Sequence, residues 1–160
     1  MQTQNQLNWN QERSSDTADF YTIGYSGRSI HEFICSLTEA GVACLVDVRE
    51  FPVSMFKPAF SKRNLRSSLE AIGIEYLHAP DVGVPRDIRA LAIGKHDRSD
   101  IWEWYDAHVI PEIAGKNLTR FFNAFQHPVA LMCVELDPTA CHRHRIALAL
   151  ESAGLRSFDL

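Results

Sequence analysis

The sequence predicts an α/β fold: a Rossmann-like three-layer sandwich around a mostly parallel sheet of about five strands. Three observations predict it. Short apolar, β-rich runs alternate with helical patterns along the chain. The links between them are short, as helix-covered parallel sheets require. The run Ala43 to Val48 is apolar except for Asp47, the pattern of a strand buried on both faces.

The first strand is expected at Phe20 to Tyr25, before the turn at Ser26-Gly27. A helix follows from Ser29 to Ala40. Ser29 is its N-cap with Glu32 three residues on, Ile30, Phe33, Ile34 and Leu37 form its apolar stripe, and Gly41 closes it. Ala43 to Val48 is the second strand. The next helix spans Ser61 to Ile72, with Ser61 as N-cap and Gly73 after it, and Ile74 to Leu77 is the third strand.

Two more helices are read at Ser99 to His108 and Pro111 to Phe125, the proline fitting a first helical turn. Val129 to Val134 is the fourth strand. Asp137-Pro138 looks like an N-cap and N1 pair for a last helix running to Glu151, before Gly154. Arg156 to Leu160 completes the sheet.

The 160 residues suit one domain, expected over 20–160, after a disordered polar tail at 1–19. That tail has no apolar core, so it is not read as a secretory signal. No apolar run is long enough to span a bilayer. The expectation is a cytoplasmic protein with no membrane partner. The net charge of −4 argues against a generally basic, nucleic-acid-coating protein, though not against a local basic patch.

In open parallel sheets, ligands sit beyond the carboxyl ends of the strands. The residues expected there are Tyr25, Ser26 and Arg28 after the first strand, Asp47 and Arg49 after the second, His78 after the third, and 133–143 after the fourth. The last segment carries the densest chemistry, Cys133, Glu135, Cys141, His142 and Arg143. A helix start beside these groups offers N–H donors to anions and lowers a thiol's pKa.

Three uses of this cluster compete. A cysteine can be a nucleophile with His142 as base and Arg143 holding an anion. Cys133, Cys141 and His142 can ligate a metal, one ligand short of a closed structural zinc site. Or the cysteines are core residues and His142 a structural histidine. No metal ligand is assigned from the sequence, and the cofactor is unknown. Cys35 and Cys44 sit in apolar patterns and are expected to be small buried hydrophobes.

Asp47 inside an apolar strand is expensive to bury unpaired, so Arg49 or Arg143 is its natural partner. It either fixes the strand ends by a salt bridge or orients a base. The stretch Phe51 to Leu69 holds Phe56, Lys57, Phe60, Lys62, Arg63 and Arg66 and no acidic residue. Its aromatics can stack on bases while cations such as Lys57 and Arg63 follow phosphates. The alternative is a solvated helix face with packed aromatics. Trp102, Trp104 and Tyr105 have the spacing of core or rim packing.

The runs Tyr21 to Ser26, Leu45 to Arg49 with Phe51-Pro52, Phe60 to Leu65, Gly73 to Tyr76, and Leu131 to Glu135 with Cys141-His142-Arg143 together resemble domain-of-unknown-function family 488 (DUF-488). The resemblance runs from Phe20 to the C-terminus. It implies an α/β fold and marks the signature residues, and supplies no reaction. Val82-Gly83-Val84 stands where the family usually has Leu-Gly-Gly, and the basic stretch is less arginine-rich than usual. The run Leu45 to Glu50 also resembles rhodanese-like sulfur-transfer domains, but no Cys-led six-residue anion loop follows the fourth strand.

The functional expectation is an enzyme acting on a phosphate-bearing substrate, a nucleotide or nucleic acid. Cys133, Glu135, Cys141, His142 and Asp47 would do the chemistry. Tyr25, Ser26, Arg28, Arg49, Arg143, Lys57 and Arg63 would bind. The alternatives are a non-catalytic module that holds single-stranded nucleic acid or a partner through 51–69, and a metal-binding protein.

Overall fold

The computed structural model describes residues 18–115, 123 and 127–160. Five strands, β1 (Phe20–Gly24), β2 (Cys44–Asp47), β3 (Glu75–His78), β4 (Val129–Cys133) and β5 (Ser157–Asp159), form one sheet in the order β3-β2-β4-β1-β5. Every neighbouring pair is parallel. Six helices accompany them among the described residues: α1 (Ile30–Glu39), α2 (Lys62–Glu70), α3 (Arg86–Ala90), α4 (Ser99–His108), α5 (Ile110–Gly115) and α6 (His142–Ser152). The fold is the expected three-layer α/β sandwich.

Alternation along the strands makes the two cores. Ala130 and Met132 of β4 point to one face, where Phe33 and Leu37 of α1 and Leu65 and Leu69 of α2 cover them. Val129, Leu131 and Cys133 point to the other, against Ile101 and Tyr105 of α4, Ile113 of α5 and Ile146 and Leu150 of α6. Strand β4 is buried at all five positions because both faces are roofed.

α1 starts as its sequence indicates: Ser29 Oγ accepts from the Glu32 N–H at 3.2 Å, and Glu32 Oε2 accepts from the Ser29 N–H at 2.7 Å. Ser61 occupies the cap position of α2, but its hydroxyl takes the Ser54 N–H at 3.0 Å instead. Asp137-Pro138 does not open the last helix. The Asp137 carboxylate caps a 3₁₀ turn at Pro138–Ala140, and α6 begins after Cys141. The short helix α3 has no counterpart in the sequence reading, because its five residues carry no apolar stripe.

Residues 1–17 of the expected tail and 116–122 and 124–126 of the expected helix at 111–125 lie outside the described residues. Asp19 belongs to the domain: its N–H donates to the Arg156 carbonyl at 2.7 Å, and its carboxylate takes the Arg156 N–H at 2.7 Å. Cys44 is fully buried, whereas Cys35 is only half-buried, its sulfur 3.6 Å from His31 Nε2. Among the described residues, no helix is long and apolar enough to cross a membrane.

Candidate active site

The register of the sheet places Gly24 beside Cys133, and Asp47 beside Met132 and His78. The carboxyl ends of β1, β2 and β4 are therefore level. Above them lies a crevice of about 190 Å³ into which Tyr25, Arg49, Cys133, Glu135, Cys141 and His142 face. Phe51, Val53, Val84 and Trp102 form its apolar wall, and Arg89 and Arg98 stand at the rim. It is smaller than the roughly 300 Å³ at which pockets for whole drug-sized ligands begin, so it suits the reacting end of a ligand. A larger hollow of about 520 Å³, beside Tyr21, Glu39 and Phe158, has no cysteine or histidine among its described lining residues.

One close approach makes the crevice. The chain leaving β4 crosses directly over β1. A Cβ on Gly24 would lie 1.7 Å from the Glu135 carbonyl oxygen, so only glycine fits there. The Ser26 N–H then donates to the Val134 carbonyl at 2.9 Å. Gly83 does the same for the opposite wall, where a Cβ would lie 2.4 Å from the Glu50 nitrogen.

His142 is the centre of the arrangement. Its Nε2 is 2.7 Å from the Val48 carbonyl oxygen. A carbonyl only accepts, so Nε2 carries the hydrogen and the lone pair of the neutral ring is on Nδ1. Nδ1 lies 3.6 Å from Cys133 Sγ and 3.9 Å from Cys141 Sγ. All three residues are buried, with 5%, 2% and 7% of Cys133, Cys141 and His142 exposed. The two thiols differ in acidity. The hydrogen bond from Cys141 and burial push the Cys133 thiol up. Burial opposes ionisation of Cys141, but its hydrogen bonds with Cys133 and His142 outweigh that and pull it well down.

Asp47 and Arg49 form a second unit. Arg49 Nε donates to Asp47 Oδ1 at 2.8 Å, and its Nη2 donates to Oδ2 at 2.7 Å and to the Phe60 carbonyl at 2.8 Å. The Tyr76 hydroxyl donates to the same carboxylate at 2.5 Å. Burial works against the Arg49 charge, yet these bonds to Asp47 raise its pKa overall. The guanidinium lies 5.3 Å over the Tyr25 ring, which in turn stacks on Phe60 with centroids 4.5 Å apart. Asp47 sits behind Arg49 and holds it at the crevice wall, without facing the crevice itself.

The remaining expected binders lie elsewhere. Arg143 is fully buried and points away from the crevice: it donates to the Glu135 and Leu136 carbonyls and pairs with Asp159 at 3.1 Å. It braces the loop that carries Glu135. Arg28 donates to Ser36 Oγ and the Leu160 carbonyl, and Lys57 donates to the Arg28 carbonyl. Arg63 is exposed on α2, and Ser26 is half-buried beside the turn. His78 is engaged by the Arg49 carbonyl at 2.7 Å and Lys62 Nζ at 3.3 Å. The sequence reading missed Arg98, which holds Glu135 at 3.4 Å and the Ala140 carbonyl at 2.7 Å, and Arg89, which pairs with Glu50 at 3.6 Å. Neither carried a sequence signal, because each meets its partner across more than 35 residues of chain.

No curated protein and no solved structure matches the chain. A family model described as "Domain of unknown function DUF488" matches residues 29–150, from the cap of α1 to the last turn of α6. That span carries β2 to β4 and every crevice residue except Tyr25, so this chain belongs to the DUF488 family.

Proposed function

We propose that the protein is an enzyme whose reaction takes place in this crevice, on a phosphate-bearing substrate such as a nucleotide or a nucleic-acid end. One observation carries the reading: the Val48 carbonyl fixes the His142 tautomer so that the Nδ1 lone pair is aimed at two buried thiols beside an open cavity. The Val48 bond by itself would also serve a core histidine, but the free Nδ1 facing two thiols beside a cavity is the arrangement a reactive centre needs. Glu135, half-exposed in the same crevice, is the group able to exchange a proton with substrate.

The rim arginines favour an anionic substrate. The pairs Arg89–Glu50 and Arg98–Glu135 are long contacts between solvent-facing side chains, at 3.6 and 3.4 Å. Such pairs contribute about 0–1 kcal/mol, so a substrate phosphate displaces them at little cost. The test is turnover of a panel of nucleoside phosphates and short single-stranded oligonucleotides. Cys141→Ser should abolish it, and Arg98→Ala should lower kcat/KM with a rise in KM. Equal turnover by the wild type and both variants would end the proposal.

A second reading, a binding surface on 51–69, rests on Phe56 being fully exposed and Met55 87% exposed next to Lys57 and Arg63. It predicts oligonucleotide binding that weakens steeply with salt and is lost in Phe56→Ala. Affinity that does not change with salt would exclude it.

A further inference from the structure

We propose that Cys133, Cys141 and His142 hold a zinc ion, with one coordination position left open to the crevice. The three ligand atoms all lie within 4.8 Å of one another. A tetrahedral centre with Zn–S of about 2.3 Å and Zn–N of about 2.0–2.1 Å sets S···N at roughly 3.5–3.6 Å. The separations from Nδ1 are 3.6 Å to Cys133 and 3.9 Å to Cys141, so an ion fits with shifts of a few tenths of an ångström.

Three further features point the same way. The Nε2–H of His142 is spent on the Val48 carbonyl, the outer hydrogen bond that a ligating histidine makes to orient its ring. A nucleophilic mechanism would bond only one of the two thiols to substrate, whereas an ion takes both as ligands. Two thiolates also neutralise a dication, so the buried centre carries no net charge.

Three protein ligands facing a cavity make an open centre of the catalytic kind, not a closed structural one. The open position takes water. Glu135 faces the same crevice and stands outside the ligand set. In the step this arrangement suits, Glu135 accepts a proton from that water. The resulting hydroxide oxygen bonds to an electrophilic phosphorus or carbon of the substrate. The bond to the leaving group breaks with its electron pair, and that group takes the proton back from Glu135. The catalytic role of the ion rests on the proposed active site; its presence rests on the ligand geometry alone.

The experiment is elemental analysis of the full chain, purified under reducing conditions without a metal-affinity tag. About one zinc per chain is expected, retained in Cys35→Ser and lost in Cys133→Ser and Cys141→Ser. Because a serine variant can misfold, the wild type is also stripped with chelator and titrated with cobalt(II). Intense thiolate-to-cobalt absorption with tetrahedral ligand-field bands, displaced by one equivalent of zinc, is the expected signature. Folded protein with no zinc and no such absorption overturns the site. If that metal-free protein still turns over substrate and Cys141→Ser abolishes it, the ion fails and the active site stands. If zinc binds but turnover ignores every crevice substitution, the ion stands and the active site fails.

Discussion

His142 Nε2 and the Val48 carbonyl oxygen, 94 residues apart, meet at 2.7 Å, and this one hydrogen bond decides which ring nitrogen faces Cys133 and Cys141. Two substitutions divide its roles. His142→Gln keeps an N–H near the Nε2 position and removes Nδ1. It should cost little stability while abolishing turnover and metal retention. His142→Asn keeps a polar atom near Nδ1 and strands the Val48 carbonyl, a loss of about 1–3 kcal/mol for an unsatisfied buried acceptor. Urea unfolding of the pair checks this; equal stability would mean that the Val48 contact is idle.

Gly24→Ala should be among the most damaging of conservative changes. The new methyl meets backbone, not a side chain that can swing away, at 1.7 Å from the Glu135 oxygen. Overpacking of this kind costs roughly 1–3 kcal/mol and sometimes more. The same shift moves Glu135, so activity should drop by more than the folded fraction does. Thermal unfolding together with turnover at a temperature where the variant is fully folded separates the two effects.

The Asp47–Arg49 pair should behave asymmetrically. Asp47→Asn leaves a buried guanidinium without its countercharge, a loss of about 3–5 kcal/mol. Tyr76→Phe removes only the 2.5 Å bond to the carboxylate, about 1.5–3 kcal/mol. In a double-mutant cycle the two should be strongly non-additive, because Tyr76 has no charge to serve once Asp47 is amide. Additive losses would show that the three side chains do not act as one network.

Alkaline pH should loosen the core. Burial, and then the Glu75 charge, push the Cys44 thiol up to about 12 from an ordinary 9.0. Burial and Asp47 likewise push the Tyr76 phenol up. Between the unfolded and folded pKa values the native state holds a proton that the unfolded chain has lost, so stability falls as pH rises. For Cys44 the window is about 9 to 12, with a slope of at most about 1.4 kcal/mol per pH unit. Cys44→Ala should flatten part of that slope in a stability–pH series, and an unchanged slope would assign it to other groups.

Arg143 is a structural brace, so its loss should act through the fold. Arg143→Ala exposes two carbonyl acceptors and the Asp159 carboxylate, and should cost several times more than Asp159→Asn, whose side chain is 31% exposed. Hydrogen exchange at 134–137 should speed up in Arg143→Ala and change little in Asp159→Asn.

Local rules made the sheet and α1 legible. The apolar run around Val129 to Cys133 reads as a doubly covered strand, and Ser29 with Glu32 reads as a capping box. Local rules failed where two local solutions compete. Asp137 followed by proline suits an α-helix start, yet it caps a 3₁₀ turn here, and the extended backbone at Cys141 opens the helix. Arg143 looks like an anion clamp from its neighbours, but one step of helix beyond His142 turns it toward the Glu135 carbonyl. The rim arginines and the Val48 carbonyl are invisible in sequence because their positions in the crevice depend on contacts far along the chain.

Strand β4 lies between β1 and β2, which therefore never touch as neighbours. The sheet has an empty slot until residues near position 130 arrive, so within the first hundred residues β2 and β3 can pair but β1 has no strand beside it. High contact order of this kind slows folding and leaves strand edges bare during synthesis. It also orders assembly: the sulfur atoms of Cys133 and Cys141 can meet the His142 ring only once residue 142 has been made, so a chain cut short of that position lacks the crevice.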